Sequence, residues 1–346
     1  GGGGGGGARG AGKLAGVAGL PDHASGLPVV APTSLEQYAK CPHAWFVERL
    51  LRVSPLDVPE EVIEVSPLEV GNLLHTCLDR LVSEASVLPS AGAAWSAKDR
   101  ARLLQIFEEE ADAAAARGVT GHRRLWELER RALTRDLIRM LDDDDAWRSS
   151  RGASVLASEL SFGSAGAPPV HVPVARGAVA MRGSADKVDR AADGTLLVTD
   201  VKTGSSWRYD DIAKDPVVAG TRLQLPVYAH AARTAYGTPR AEAMYWFVRK
   251  DAGKRIAVTL DEDLEVRFAE AVGTLVDSIA AGQFPAIAPE DPDFAWVTCP
   301  YCNPDGLGHA ERRERWERQR HDPALSMLVG LVDPQTESAA PEGTER

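Results

Sequence analysis

Apolar and polar positions follow two rhythms along this chain. Helical spacing dominates up to about residue 150. Near residue 153 it gives way to short β-branched runs bounded by Gly, Pro or Asp-Gly. Residues 1–30 show neither rhythm; Gly- and Ala-rich, they read as a disordered linker. Ser34-Leu-Glu-Gln37 has the capping-box spacing and predicts a helix start, and Pro42 predicts a break. Trp45, Phe46, Leu50 and Leu51 give that region a core-facing side. Ser66-Pro67-Leu68-Glu69 combines an N-cap, a proline at the first helical position and an acid three residues after the cap. It predicts a helix to about residue 85, followed by two more over 97–117 and 122–147, with Gly118 as a stop. Strands are expected at 153–162, 170–175, 179–190 and 195–203, a helix at 221–236, strands at 241–249 and 255–260, and an amphipathic helix at 261–282. A Pro-rich stretch, a cysteine loop, a charged helix over 312–320 and a disordered tail, 321–346, complete the chain. Helices, sheet, helix, strands and helix in that order predict an α/β fold: one domain over 31–320, with a helical insertion at about 90–150.

The composition suits a packed core: 346 residues, 44% hydrophobic and 26% charged. No apolar run approaches the 18 residues of a membrane span, and no secretory signal opens the chain. The first residue is Gly, which together with the linker-like start suggests a C-terminal piece of something longer. The formal charge of −11 argues against non-specific nucleic-acid binding through bulk positive charge. Four unevenly spaced cysteines, Cys41, Cys77, Cys299 and Cys302, do not resemble a secreted disulfide framework. The Cys299-x-x-Cys302 pair points to a metal or cluster site in a reducing cytoplasm.

The chemistry concentrates in the middle of the chain. Asp186 lies in one predicted strand; Asp193-Gly194 marks a turn; Asp200-Val-Lys202 lies in the next strand. A three-residue loop, 192–194, with Gly194 left-handed would pair 191 with 195. That register sets Asp186 opposite Asp200, with Lys202 two residues on along the same face. Facing carboxylates repel unless a cation lies between them, and hard oxygen ligands suit Mg²⁺ or Mn²⁺. A neighbouring lysine can orient a water or stabilise charge on a phosphate. The plainer alternative is a hairpin with a solvated acidic face.

Asp186…Asp200-Val-Lys202 resembles the motif of the PD-(D/E)XK nuclease superfamily, and four other pieces resemble its RecB-type exonuclease domains (the AddB/RecB-like helicase–nuclease family) in order. Ser34-Leu-Glu-Gln-Tyr38-Ala-Lys-Cys41-Pro42 resembles the family's opening helix and first cluster cysteine. Gly71-Asn-Leu-Leu-His75 resembles its Gly-x-x-x-His helix. Gln224-Leu-Pro-Val-Tyr228 resembles the helix after the lysine strand, and Cys299-x-x-Cys302 the late cluster pair. The resemblance covers about residues 33–310. It implies a restriction-endonuclease-like mixed sheet flanked by helices and a metal-dependent nuclease acting on DNA, with single-stranded ends in break repair or recombination as the expected substrate. It further implies His75, Asp186 and Asp200 at the metal, Lys202 acting on the water or phosphate, Gln224 and Tyr228 positioning DNA, and a helicase domain or subunit as partner. A catalytically silent module that guides DNA or scaffolds a helicase is the alternative. Gly71 and His75, and likewise Gln224 and Tyr228, are four apart and share a helix face. Glu159, in the strand before the aspartates, is a further acidic candidate.

The chain departs from the family where a fourth cluster cysteine belongs, because none follows Cys302. His309, or less comfortably Asp305, could complete a set with Cys41, Cys299 and Cys302, which suits a 4Fe-4S cluster or Zn²⁺; a corner of free thiols is the alternative. Cys77 reads as buried and inert. Arg123, Arg124, Arg130, Arg131 and Arg135 read as a solvated helix face balanced by Glu127, Glu129 and Asp136. Gly7 to Lys13 has phosphate-loop spacing, but Leu14 follows and no strand precedes, so it reads as linker.

Overall fold

Pro67 at the first turn and the Ser66 hydroxyl, accepting the Glu69 N–H at 3.1 Å, start a long helix as expected. The computed structural model of the chain describes residues 14, 17, 19–54, 63–164, 166–292, 294–297, 299–303 and 308–333. The phosphate-loop-like segment, Asp305 and the last residues of the expected tail lie outside them. The described helices are α1 (Pro32–Lys40), α2 (Pro42–Trp45), α3 (Pro67–Glu84), α4 (Ala97–Ala116), α5 (Arg123–Arg151), α6 (Gln224–Tyr236), α7 (Glu262–Ala280), α8 (Phe294–Val297), α9 (His309–Gln319) and α10 (Ser326–Val332). The strands are β1 (Ser154–Phe162), β2 (Val170–Val174), β3 (Gly177–Met181), β4 (Gly183–Arg190), β5 (Leu196–Lys202), β6 (Ala241–Phe247) and β7 (Arg255–Thr259).

Five strands form one mixed sheet in the order β1-β4-β5-β6-β7, and β2 and β3 pair in a separate hairpin. Only β5 and β6 run parallel, because α6 carries the chain back between them. Helices cover both faces. Val188, Val198 and Tyr245 pack in one core with Leu35, Val227 and Phe268 of α1, α6 and α7. Val155, Val201 and Trp246 pack in another with Leu74, Phe107 and Leu137 of α3, α4 and α5. The helical pair α4 and α5, between α3 and β1 in the chain, belongs to this second layer.

The structure corrects four local expectations. The first helix begins at Pro32, and Ser34 caps nothing; its hydroxyl instead accepts from Trp45 Nε1 at 2.9 Å. The expected strand 179–190 is two strands with different partners, broken before Gly183. A Cβ on Gly183 would come within 2.8 Å of the Phe162 ring. The expected linker is ordered in its last part: Val30 accepts from Arg182 N–H at 3.0 Å and donates to Ala180 O at 2.9 Å. The expected tail is helical over 326–332, where Leu328 and Leu331 join the core beside α7. A small apolar period in so short a segment is easily mistaken for solvent-facing chain.

The helical pair is tied to the sheet by buried charge. Lys187 on β4, 1% exposed, donates to Asp144 of α5 at 2.7 Å and to Asp189 at 2.7 and 2.8 Å. Arg148 and Trp95 complete the cluster on Asp144 Oδ2 at 2.9 and 3.0 Å. Burial pushes the Asp189 carboxyl up to about 6 against the pull of Lys187. Removing one partner of such a cluster strands its opposite charges. Lys187→Met should therefore lose about 3–5 kcal/mol of stability in urea unfolding, although methionine fills the space. A loss under about 1 kcal/mol would show that the cluster is not what joins the two layers.

Candidate active site

The site begins at the β4–β5 hairpin. Ala191 donates to Thr195 O at 2.9 Å, and Gly194 adopts φ 86°. Pairs run from Arg190–Leu196 to Lys187–Thr199, the register the Asp-Gly turn predicts. Asp186 therefore falls opposite Asp200. The ladder ends just before them, and the Val201 N–H donates to Asp186 Oδ2 at 2.6 Å. A carboxylate thus stands in for the next backbone acceptor on β4.

His75 reaches this point from α3. Its Nδ1 lies 2.9 Å from Asp186 Oδ1 and its Nε2 3.2 Å from Val201 O. Both neighbours are acceptors, so the ring satisfies both only when doubly protonated. Burial lowers its pKa, but the hydrogen bond and charge of Asp186, helped by Asp200, outweigh this and hold it raised.

Glu159 joins the pair from β1. It sits across from Asp186 just past a register shift between Val155 and Ala157, with φ 47°. That left-handed conformation is strained for a residue with a Cβ, by roughly 1–3 kcal/mol, and such strain collects at functional sites. Its carboxylate accepts from Ser184 Oγ at 2.6 Å, and burial raises its pKa. Ligand atoms of His75, Glu159 and Asp186 lie within 4.8 Å of one another.

Asp200 stands outside that trio. It is 4% exposed, and its Oδ2 is buried without a hydrogen bond, in ion-pair contact with the Lys202 ammonium. Burial raises the Asp200 carboxyl to about 6, with Lys202 opposing and Asp186 adding to the rise. Burial alone would lower Lys202, but Asp200 more than compensates and its pKa is raised. Nζ also lies 5.2 Å from the centre of the Tyr245 ring. A converging N,O,O set beside a buried, ion-paired carboxylate fits a hard divalent cation.

The other helix layer contributes Gln224 and Tyr228. Gln224 Nε2 donates to Tyr228 Oη at 3.3 Å. Burial, then the charges of Asp200 and Asp186, push the Tyr228 hydroxyl well above its usual pKa, so it remains a donor. The first turn of α6 is capped from α1: Glu36 Oε1 accepts from Leu223 and Gln224 N–H at 2.6 and 3.2 Å.

The cysteines form a separate corner. Cys41 Sγ lies 2.8 Å from Cys302 Sγ, a direct thiol contact, and Cys302 N–H donates to Cys299 Sγ at 3.3 Å. His309 does not complete a set with them. Its Nε2 is 2.8 Å from Pro289 O and its ring packs edge-on against Trp296. Cys77 is buried, its thiol pushed up to about 12 by burial. The arginine face of α5 is solvated and paired, Arg123 with Glu127 at 3.1 Å and Arg130 with Asp112 at 2.7 Å.

The PD-(D/E)XK nuclease superfamily matches residues 29–305, and the chain belongs to it. Its five-stranded mixed sheet flanked by helices is the restriction-endonuclease-like arrangement expected of such a protein. Members are nucleases that use divalent metals, and the His–Glu–Asp group is where this chain could hold one. No curated protein matches the chain. Among solved structures it is similar to SSO0001, with 18% identity over 78% of this chain and 91% of that one and a TM-score of 0.25. At that score the likeness carries no argument.

The surroundings of the thiols set their acidities apart. The hydrogen bond from Cys302 holds the half-exposed Cys299 thiol down at about 6, against burial. In metal-stripped protein, Cys299 should be alkylated by iodoacetamide first, with a midpoint near pH 6, and Cys77 not at all; peptide mass spectrometry reads both. Equal labelling of the two would contradict this arrangement.

Proposed function

We propose that this chain is a Mg²⁺- or Mn²⁺-dependent deoxyribonuclease of RecB type that shortens single-stranded ends during DNA-break processing. The observation that carries the reading is the convergence of His75, Glu159 and Asp186 beside Asp200 and Lys202. Superfamily membership supports nuclease chemistry. The RecB-type assignment, the cytoplasmic setting and the helicase domain or subunit beside it rest on the sequence motifs alone.

His75, Glu159, Asp186 and Asp200 would hold the metal. Bound there, it would supply positive charge to the scissile phosphate and lower the pKa of an attacking water. The residues of the chain do the rest. His75 becomes a ligand only through a ring nitrogen free of a proton, so its contact with Asp186 would have to open for the metal to enter. The ion pair with Asp200 keeps Lys202 a cation, which favours stabilising charge on the phosphate over accepting a proton. Tyr228 and Gln224 offer a hydroxyl and an amide from one helix face to orient the strand. A cation held there would also answer the chain's overall negative charge, since the phosphate would meet it and Lys202 rather than the bulk surface.

The cysteine corner could hold a 4Fe-4S cluster or Zn²⁺ only after the Cys41–Cys302 contact opens. Sulfurs sharing a tetrahedral ion stand about 3.8 Å apart, from Zn–S bonds near 2.3 Å.

End-labelled single-stranded DNA incubated with Mg²⁺ or Mn²⁺ tests the activity. The wild type should shorten it, and Lys202→Ala and Asp186→Asn should each lose at least about 10²-fold in rate. Glu159→Gln should lose a similar factor and Gln224→Ala about tenfold, the latter mainly in KM. A folded, metal-loaded wild type that cuts no strand would favour the silent DNA-guiding module. Equal cleavage by Lys202→Ala would remove this lysine from the mechanism.

A further inference from the structure

Of His75, Glu159 and Asp186, only Glu159 has a left-handed backbone, at φ 47°. Such a conformation persists only where the surroundings fix it. The strand itself gives little help. β1 is an end strand of the sheet, and its pairing with β4 slips between Val155 and Ala157, just before Glu159.

Two side-chain hydrogen bonds supply what the ladder does not. Ser184 Oγ, on β4, donates to the Glu159 carboxylate at 2.6 Å. Ser158 Oγ, one residue before Glu159, donates to Asp79 Oδ1 of α3 at 2.6 Å. The first bond fixes the carboxylate, and the second fixes the backbone that carries it. Asp79 follows His75 by four residues, so the two share a face of α3. One helix face thus sets His75 2.9 Å from Asp186 and grips β1 beside Glu159. Asp79 forms no ion pair among the described residues. Burial raises the Glu159 carboxyl, Ser184 opposes the rise, and the charges of Asp186 and Asp79 add to it. Carboxylates gathered this closely repel one another, and a cation at the ligand group would relieve that repulsion.

We propose that Asp79 is a positioning residue of the metal site: through Ser158 it holds the left-handed backbone of Glu159 in place beside His75 and Asp186. The proposal rests on the metal-dependent nuclease reading and deepens it. Asp79 is not among the three residues whose ligand atoms converge, so it acts on the metal through Glu159. Without its bond to Ser158, the backbone at Glu159 is free to return to an ordinary extended conformation, and the carboxylate leaves the group. The hydrogen bond lost and the strain released offset each other in the stability of the fold. The site has no such compensation.

Mn²⁺ binding to the protein without DNA, read by electron paramagnetic resonance, tests this apart from turnover. Asp79→Ala and Ser158→Ala should each weaken Mn²⁺ about tenfold, the usual effect of losing an outer partner of a ligand, with little change in melting temperature. Asp79→Asn keeps an acceptor for the Ser158 hydroxyl and should restore most of the affinity. In a Glu159→Gln background, Ser158→Ala should have no further effect, because the ligand it positions is gone. A bond that merely fastens β1 to α3 would lower the melting temperature and weaken Mn²⁺ equally in both backgrounds, and that result would overturn the proposal. Binding as weak in Asp79→Asn as in Asp79→Ala would also overturn it, since the Asp79 charge rather than its hydrogen bond would then be at work. If Glu159→Gln weakens Mn²⁺ and neither alanine variant does, the positioning role falls and the nuclease reading stands. If the wild type binds no Mn²⁺, the metal-dependent reading falls and the proposal with it.

Discussion

Two nearly buried carboxylates face each other across β4 and β5, and the surrounding structure is arranged around their repulsion. Asp186 is quieted by a backbone N–H and by His75, and Asp200 by Lys202. Neither arrangement is free of cost. The Val201 N–H is taken from the sheet ladder, the imidazole pKa is raised by Asp186 against the effect of burial, and Lys202 is drawn into burial beside Asp200. A fold without a task for these groups would gain by replacing them with apolar residues of similar size. The cation that would relieve the repulsion is also the one the chemistry needs.

The scaffold that tolerates this strain is rigid on both sides. β4 carries Asp186 toward one helix layer, while its neighbour Lys187 is locked into the acidic cluster of α5. Adjacent residues of one strand thus serve opposite ends, one anchoring the sheet and the other presenting a ligand. Glu36 does the same between helices, since one buried carboxylate oxygen on α1 holds the start of α6.

Much of this is legible in the sequence, and the reason is locality. The Asp193-Gly194 turn determines which residues of β4 and β5 face each other, so the Asp186–Asp200 relation follows from a handful of adjacent residues. The start of α3 is equally local, written in Ser66, Pro67 and Glu69. Glu159 is not legible in this way. Its place among the ligands depends on a register shift in β1 and a left-handed backbone, and neither leaves a mark in residue type. Asp200 illustrates the converse, because spacing puts it on the right face but cannot say that Lys202 holds it apart from the other three. The cysteine corner is legible only in part for a related reason. Spacing pairs Cys299 with Cys302, whereas only the finished fold brings Cys41 to them and sets the carbonyl of Pro289 on His309.

The hydrogen bond between His75 and Asp186 closes a loop of 111 residues. Contacts of that span are costly in chain entropy and form late, after hairpins and local helices are in place. Until α3 docks on the finished sheet, the chain holds an acidic hairpin and a distant histidine with nothing between them to grip an ion. The constellation is therefore a property of the completed fold. A newly made or partly unfolded copy carries every one of the necessary side chains and none of their geometry.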